Sequence, residues 1–535
     1  TAQDDGGLTD TQSITVTVIN VDEVVIIDEP VMQLTSIISN VVITGTGYLT
    51  LTGGAGIIGS VELSSGAQLS LKDAGIIEGN VELSSEAKLT LEGAGSIEGN
   101  VIITQGGSLI ATEGSITGAI TYKRTLPTTN WYLISSPVTG QDKDEFVAAS
   151  NLAVDSGTNL GFCNYDNSLA NWNFYQSGAS GTGDFVSGEG HSVKLNVAGE
   201  VVFTGDFNNA DASIAVTAGT NGLNLIGNPY LASVSVFEML TQTDNLNLLS
   251  ERTVWLWDES ESLYVAKNLT EDLEVAPGQG FFVNVASSGN FIITESMQSH
   301  AEDTFQRGET SSKVALSISN GEAIKRASVF YIDGATTGFD NGYDSSIFED
   351  LPAEFSLYTR AVANENGRNL GIQSLPKGDY QNIIVPVGIR AASKSTLAFS
   401  ASSQNLTEGT YVYLEDRVTN SFTRIDNNTY NVSLSSTLDG VGRFYMHTIS
   451  SSLGNDNLTF SGVKIFSLDN RTLRVLGVEQ QAKLKLYSIL GAEVLKTNFI
   501  GTGANNLALP YLKTGIYILE LDTNKGVLNK KIIIE

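Results

Sequence analysis

The sequence predicts an all-β protein with several domains: a short parallel β-solenoid, antiparallel β-sandwich modules and a C-terminal Ig-like β-sandwich. Three observations support this prediction. Alternating apolar and polar residues recur in short runs along the chain, glycine-rich turns separate these runs, and units of 20 residues repeat near the N-terminus. A chain of 535 residues is also too long for one hydrophobic core, so several modules are expected.

Composition limits the class of function. The formal net charge of -29 argues against nucleic-acid binding, because no basic stripe is present to displace counterions. The single cysteine, Cys163, excludes an internal disulfide and is interpreted as a small buried residue. No apolar run is long enough to predict a transmembrane helix. Because the chain begins at Thr1 without a methionine, we expect either a removed leader or a longer parent protein.

Residues 1–24 read TAQDDGGLTDTQSITVTVINVDEV and contain one predicted strand. They resemble the C-terminal end of a bacterial cadherin-like repeat. The resemblance implies that Asp22 and Glu23 are calcium ligands, whereas the alternative is a pair of solvated acids on a loop.

Residues 25–122 are predicted to form the β-solenoid. Units spaced by 20 residues begin at Asn40, Ser60, Asn80 and Asn100. Each unit offers three short strands that cannot bury their apolar faces alone but can do so when units stack. The functional alternative is a polysaccharide-cleaving solenoid enzyme. Outward charges repeat regularly, as at Glu62 and Glu82, which favours a solvated spacer. Three apolar columns define the stacking: Val41/Ile43, Val61/Leu63, Val81/Leu83 and Val101/Ile103; Leu49/Leu51, Leu69/Leu71, Leu89/Leu91 and Leu109/Ala111; Ile57, Ile77, Ile97 and Ile116.

Residues 123–310 contain TTNWYLISSPVTGQ, NLIGNPYLASVSVFEML and VAPGQGFFVNV. They resemble a β-sandwich module of secreted Bacteroidetes proteins for which no activity is assigned. Two helices are predicted, at Gln141–Ala153 and at Ser233–Gln242 with a serine cap. His191 and His300 have no metal-ligand partner at a useful spacing. Six aromatic residues are interpreted as core, with a sugar-binding platform as the alternative: Trp131, Trp172, Trp255, Trp257, Phe281 and Phe282.

Residues 311–449 are predicted to form another β-sandwich, and residues 450–458 a polar, protease-accessible linker. Within GFDNGYDS, Asp340, Asn341 and Asp344 are candidate calcium ligands. An Asx-stabilised turn is the favoured alternative, because the spacing of an EF-hand loop is absent. His447 is interpreted as structural.

Residues 459–535 form the C-terminal module, with KLKLYSILGAEVL, LPYLKTGIYILEL and a final KKIIIE. Gly491 and Gly515 are predicted to allow positive φ where strands reverse. The final strand is predicted at a sheet edge, where unpaired backbone groups suit recognition by strand addition. The three motifs together resemble the type A sorting domain of the type IX secretion system, although the Tyr-Pro-Asn-Pro start of many members is absent.

The resemblance implies export across the outer membrane, recognition by a translocon and a β-barrel shuttle protein, and attachment to surface lipopolysaccharide. The modules upstream suggest an adhesin or gliding-related protein, not an enzyme, that requires no cofactor and has calcium as a candidate ligand. The alternative is a secreted carbohydrate-active or glycan-binding protein of which this chain is the accessory part. The residues assigned to translocon and shuttle binding are Gly491, Gly515, Tyr517, Lys530, Lys531, Ile532, Ile533, Ile534 and Glu535.

Overall fold

The structure is a computed structural model, and strands dominate it throughout, which confirms the all-β prediction. It divides into two compact units, residues 1–307 and 308–535. The structure describes residues 2–3, 9–10, 24–33, 35–155, 157–259, 263–271, 273–301, 312–348, 354–363, 367–377, 383–450, 460, 463–469 and 471–534.

Residues 25–126 form a parallel β-solenoid, as predicted. After the short pair β1 Ala2–Gln3 and β2 Thr9–Asp10, three strands per coil stack in register, with Val61, Val81 and Val101 paired along one sheet. The predicted apolar columns point inward and are buried, except for Ile116, which is half-buried at the last coil. The strands are β3 Val25–Ile27, β4 Pro30–Gln33, β5 Val41–Ile43, β6 Tyr48–Leu51, β7 Gly56–Ile57, β8 Val61–Leu63, β9 Gln68–Leu71, β10 Ile76–Ile77, β11 Val81–Leu83, β12 Lys88–Leu91, β13 Ser96–Ile97, β14 Val101–Thr104, β15 Ser108–Ala111, β16 Ser115–Ile116 and β17 Ile120–Leu126.

Two features hold each coil to the next. At one corner the backbones approach so closely that a Cβ atom on Gly79 would overlap the carbonyl of Gly59. Beside this corner, the Asn80 side-chain oxygen accepts a hydrogen bond of 2.9 Å from the Asn100 backbone N–H. Glycine and asparagine therefore recur at the unit boundary for a structural reason.

Residues 131–299 continue unit 1 as several small antiparallel sheets. Its strand β22 pairs antiparallel with β17 and so covers the end of the longest solenoid sheet. The elements are β18 Trp131–Ser135, α1 Lys143–Ala149, β19 Asn159–Asp166, β20 Asn171–Gln176, β21 Gly190–Lys194, β22 Gly199–Gly205, β23 Ala212–Val216, β24 Leu223–Gly227, β25 Ser233–Ser235, α2 Val236–Thr241, α3 Thr243–Leu248, β26 Leu249–Asp258, β27 Leu263–Lys267, β28 Glu274–Val275, β29 Gly280–Val285, β30 Gly289–Ile293, a 3₁₀ turn at Glu295–Met297 and β31 Gln298–Ser299.

The predicted helices are present but shorter than expected. Asp142 caps α1, because its carboxylate accepts hydrogen bonds from the backbone N–H groups of Asp144 and Glu145. The cap of α2 is Ser235, not Ser233, because Ser233 belongs to the preceding strand. The third helix, α3, was not predicted from the sequence.

In unit 2, residues 312–450 form what we call the carrier module. The residues described there form one continuous sheet of eleven strands around an apolar core, and all of the described strand pairs are antiparallel except β33 with β36. The strands are β32 Ser312–Ser319, β33 Ile324–Ile332, β34 Ser345–Ser346, β35 Ser356–Arg360, β36 Asn369–Pro376, β37 Ile384–Ala391, β38 Thr396–Gln404, β39 Thr410–Asp416, β40 Ser421–Arg424, β41 Tyr430–Ser433 and β42 Leu438–Ser450.

The C-terminal module is a sandwich of a three-stranded sheet, in the order β43-β44-β47, and a four-stranded sheet, in the order β46-β45-β48-β49. Apolar residues from both sheets, including Leu473, Leu484, Leu519 and Ile534, form one core. The strands are β43 Lys464–Asp469, β44 Thr472–Val478, β45 Gln481–Ser488, β46 Glu493–Ile500, β47 Gly503–Ala508, β48 Gly515–Thr523 and β49 Gly526–Ile534.

Candidate functional site

The last strand, β49, lies at the edge of the four-stranded sheet. It pairs antiparallel with β48 from Thr523↔Gly526 to Gly515↔Ile534, and no described strand pairs with its other side. The edge position agrees with the prediction from the sequence, and an edge strand suits recognition by strand addition. Glu535 lies outside the described residues.

Strand alternation separates the two lysines of the KKIIIE ending. Lys530 lies opposite Leu519 on the core side, together with the buried Ile532 and Ile534. Lys531 lies opposite Ile518 on the outer side and is exposed. Burial lowers the pKa of Lys530 below its usual range. The two lysines therefore lie on opposite faces of β49, and only Lys531 faces outward.

Three further predicted residues support the fold of this module. Gly491 has φ of +82° in the turn between β45 and β46, as predicted. Gly515 does not have a positive φ and is the first residue of β48. The prediction of a strand reversal at Gly515 is therefore wrong. Tyr517 is only 8% exposed, and its hydroxyl donates a hydrogen bond of 2.8 Å to the Lys513 carbonyl. The Gly-x-Tyr motif thus fixes the loop before β48.

The three-stranded sheet has an outer face, here called the docking face, that packs against the carrier module. Leu476 and Ala504 on this face form a small apolar cluster with Phe422 of the carrier module. Phe466 also lies against this cluster, with its ring centroid 6.2 Å from that of His447. The opposite side of the same sheet, including Leu473 and Val475, belongs to the core of the C-terminal module.

A buried carboxylate lies at the centre of this contact. Glu415, on β39, has no solvent exposure. Its Oε1 is 2.5 Å from Nε of Arg474 on the docking face and 3.1 Å from Nε of Arg417. Its Oε2 is 2.8 Å from Nε2 of His447. We call these four residues the Glu415 cluster; Arg474 is its contribution from the C-terminal module.

The charges in the Glu415 cluster follow from burial and pairing. Burial raises the pKa of Glu415, but the hydrogen bond from His447 and the nearby arginines outweigh it and hold the pKa below its usual range. Burial lowers the pKa of His447 to about 4, so the ring is neutral at pH 7 and donates its Nε2–H to the carboxylate. Burial and the charge of Lys530 lower the pKa of Lys464, on the docking face, to about 7. The sequence does not reveal the contacts of Glu415 with Arg474 and His447, because these partners lie on other strands, far along the chain.

The structure does not test the calcium predictions. Asp22 and Glu23 lie outside the described residues. The Asp344 carboxylate accepts hydrogen bonds from the backbone N–H groups of Asp340 and Ser374, and Asn341 bridges to Asp344, as in a tight turn. Within the described ranges, no cluster of three or more acids, histidines or cysteines is placed to hold a metal ion. Calcium at Asp340, Asn341 and Asp344 stays a prediction.

Several aromatic candidates of the 123–310 region are core residues. Trp255, Phe281 and Phe282 are buried, whereas Trp257 is half-buried and donates a hydrogen bond of 2.7 Å from Nε1 to the Trp131 carbonyl. His191 is buried and stacks on Phe162, and burial lowers its pKa to about 4. Cys163 is buried, and burial raises its pKa to about 12. The surroundings of Cys163 match its interpretation as a small buried residue.

His300 joins residues 131–301 to the solenoid. Its Nε2 lies 2.9 Å from the Thr90 hydroxyl and its Nδ1 lies 2.8 Å from the Ser108 hydroxyl. Burial and the charge of Lys88 lower the pKa of His300 to about 4. A cleft of about 420 Å³ opens beside it, lined in part by Lys88 and Arg124.

Two parts of the chain match different protein families. The chain belongs to the family described as a domain of unknown function, DUF8693, which matches residues 55–269 and 265–447 and so spans well over half of the chain. Residues 467–535 match the secretion system C-terminal sorting domain. No curated protein matches the chain.

The C-terminal module is therefore a type IX secretion sorting domain, and the protein is exported to the cell surface or the extracellular space. None of the helices that the structure describes has the length and apolar composition needed to span a membrane.

Proposed function

We propose that this chain is an adhesin or gliding-related surface protein whose sorting domain is recognised by the translocon and its shuttle protein through β49. The observation that carries the proposal is the position of β49 at a sheet edge in the domain that directs export. An edge strand offers its backbone to strand addition, which requires no particular side chain. Lys531 and the exposed Ile516 and Ile518 on the outer face then orient the partner.

The upstream modules support a non-enzymatic role that needs no cofactor. Glu62 and Glu82 are paired side by side on neighbouring coils and both are exposed, so this solenoid face resembles a solvated spacer. In this proposal the solenoid and the cadherin-like N-terminal segment extend the chain from the cell surface, where lipopolysaccharide anchors it.

The test is the substitution Lys531→Glu in the producing bacterium. Lys531 is exposed and outward-facing, so the domain folds while its recognition surface reverses charge. We expect protein to accumulate in the periplasm, measured by cell fractionation and by surface proteolysis. Lys525→Glu, an exposed lysine in the turn between β48 and β49, is the matched control and should leave display normal. Normal surface display of Lys531→Glu would contradict recognition at this face.

Deletion of residues 530–535 is a weaker test of recognition. Export should stop, but Ile532 and Ile534 are buried in the core, so the deletion also unfolds the domain. Lys531→Glu separates recognition from folding, and the deletion does not.

A glycan-binding or carbohydrate-active role is the second candidate, and the cleft beside His300 favours it. Lys88 and Arg124 outnumber the single acidic residue, Glu86, in the lining of a polar cleft of about 420 Å³, although the protein has a strongly negative net charge. Such a cleft suits an acidic saccharide. Binding on a glycan array that is lost in Arg124→Ala would support this role, and release of reducing sugar by the intact chain would show an enzyme.

A further inference from the structure

The docking face and the carrier module meet through complementary surfaces, not only through the chain that links them. On the carrier module, Glu415 is a fully buried carboxylate on the outward side of β39, whereas its neighbours Val412 and Leu414 point into that module's own core. On the docking face, Arg474 is 2% exposed and its Nε lies 2.5 Å from Glu415. Each sheet thus uses one side for its own core and the other for the neighbouring module.

Geometry makes this contact specific. The guanidinium of Arg474 is also held within its own module, because its Nη1 donates a hydrogen bond of 2.8 Å to the Asn506 side chain. It is therefore positioned before it meets Glu415. Around the ion pair, Leu476 and Ala504 bury apolar surface against Phe422, whose ring stacks on Tyr413 at 4.9 Å. A preorganised charge inside an apolar surround is typical of an interface that binds tightly.

We propose that the carrier module and the C-terminal module are binding partners, so that they stay together after the chain between them is cut. The docking face fits a sheet surface that carries a buried carboxylate and aromatic rings. The carrier module has such a surface. Cleavage between the two modules then does not by itself release the cargo, and release requires the Glu415 cluster to separate. This proposal does not depend on how the translocon recognises β49.

The same contact leaves one face of the C-terminal module exposed. The carrier module covers the outer face of the three-stranded sheet, whereas Ile516 and Ile518 on the outer face of the four-stranded sheet are exposed. The outer face of the four-stranded sheet therefore stays accessible to the partner of the proposed function while the carrier module covers the opposite side of the sandwich.

The experiment uses the full chain with a site-specific protease sequence inserted within residues 452–457. After complete cleavage, the two fragments are passed through size-exclusion chromatography at pH 7.5 and micromolar concentration. We expect the fragments to co-elute, with the dissociation constant measured by dilution. Separate elution of the wild-type fragments would overturn the proposal, because the contact would then depend on the covalent link.

Arg474→Ala tests whether the Glu415 cluster carries the binding. This substitution leaves a buried carboxylate without its partner from the other module, and we expect binding about 100-fold weaker. Lys485→Ala is the matched control, because it removes a 2.6 Å ion pair with Glu520 from the four-stranded sheet of the same module. Circular dichroism of both cut variants checks that each module stays folded. Co-elution of the Arg474→Ala fragments with wild-type affinity would overturn the role of the cluster.

Discussion

The solenoid and the docking face are held together in opposite ways. In the solenoid, each coil repeats the contacts of the one before it, so stability is distributed over buried columns such as Leu63, Leu83 and Ile103. At the docking face, two consecutive modules meet around one carboxylate, Glu415, whose partner Arg474 comes from the other module. A contact that repeats along the chain can be recognised in the sequence, and loss of one copy leaves the other copies in place. A contact that occurs once lacks both properties.

The largest effect is expected at the single contact. In the intact chain, Glu415→Ala removes the carboxylate that lies beside Arg474 and Arg417 and accepts the hydrogen bond of His447. The buried Arg474 guanidinium then loses its ion-pair partner. We expect a loss of about 3–5 kcal/mol in local stability, measured by hydrogen exchange in β39 and β44. Asp439→Ala, which removes an exposed 3.3 Å ion pair with Arg390, is the control and should change exchange by less than about 0.5 kcal/mol. Equal protection in the two variants would show that the cluster is not essential to the contact.

An apolar side chain of the solenoid gives the matching test on the repeat. Leu83 is fully buried between coils, and Leu83→Ala should cost about 2–5 kcal/mol through lost burial and a cavity. Chemical denaturation followed by circular dichroism measures the loss. The neighbouring Glu82 is exposed, so Glu82→Ala should be nearly neutral. A similar loss in both variants would contradict the inward column.

The difference between repeated and single contacts also explains how much of the fold the sequence could predict. The 20-residue spacing predicted the three stacked sheets and the buried columns, because each unit supplies the same information again. Strand alternation also places Lys530 and Lys531 on opposite faces, although both were assigned to translocon and shuttle binding. Gly515 was mistaken for a turn residue, because a glycine at the start of a strand looks the same in sequence as one in a turn.

The docking contact could not be predicted from the chain alone. Glu415 and Arg474 are polar residues inside otherwise ordinary strands, and nothing in their local pattern marks them as buried. Only the packing of one module on the other removes them from water. Likewise, His447 was correctly interpreted as structural, but its hydrogen bond to Glu415 depends on the pairing of β39 with β42.

Buried basic groups make the docking face sensitive to pH. The pKa of Lys464 is lowered to about 7, so between pH 7 and 10.5 the unfolded state binds a proton that the folded state does not. Stability therefore rises with pH through that window. His447, with a folded pKa of about 4, makes stability fall as the pH drops below 6.5, and Glu415, whose pKa is lowered from 4.5, adds to this fall below pH 4.5.

The substitution Lys464→Met tests the contribution of Lys464 to this pH dependence. The Lys464 ammonium has no hydrogen-bond partner in the part of the chain that the structure describes, so methionine removes a buried charge without breaking such a bond. We expect stabilisation of about 1–3 kcal/mol at pH 6 that disappears near pH 10.5, measured by thermal unfolding across pH. The exposed Lys531→Met is the control and should show no such pH dependence. Destabilisation by Lys464→Met at pH 6 would contradict the buried-charge assignment.

The smallest effect is expected in the asparagine row of the solenoid. Asn80 accepts a hydrogen bond of 2.9 Å from the Asn100 backbone N–H, and Asn40 and Asn100 do the same for the next coil. Ser60 occupies the equivalent position, but within the described residues its side chain accepts no such bond. Asn80→Ala should therefore cost about 1 kcal/mol, because one partly solvated donor loses its acceptor, while Ser60→Ala should cost less. Chemical denaturation of both variants under the same conditions measures the difference in their stability losses. Equal losses would mean that the row contributes through corner geometry alone, and that the repeat is held by its apolar columns and close glycine contacts.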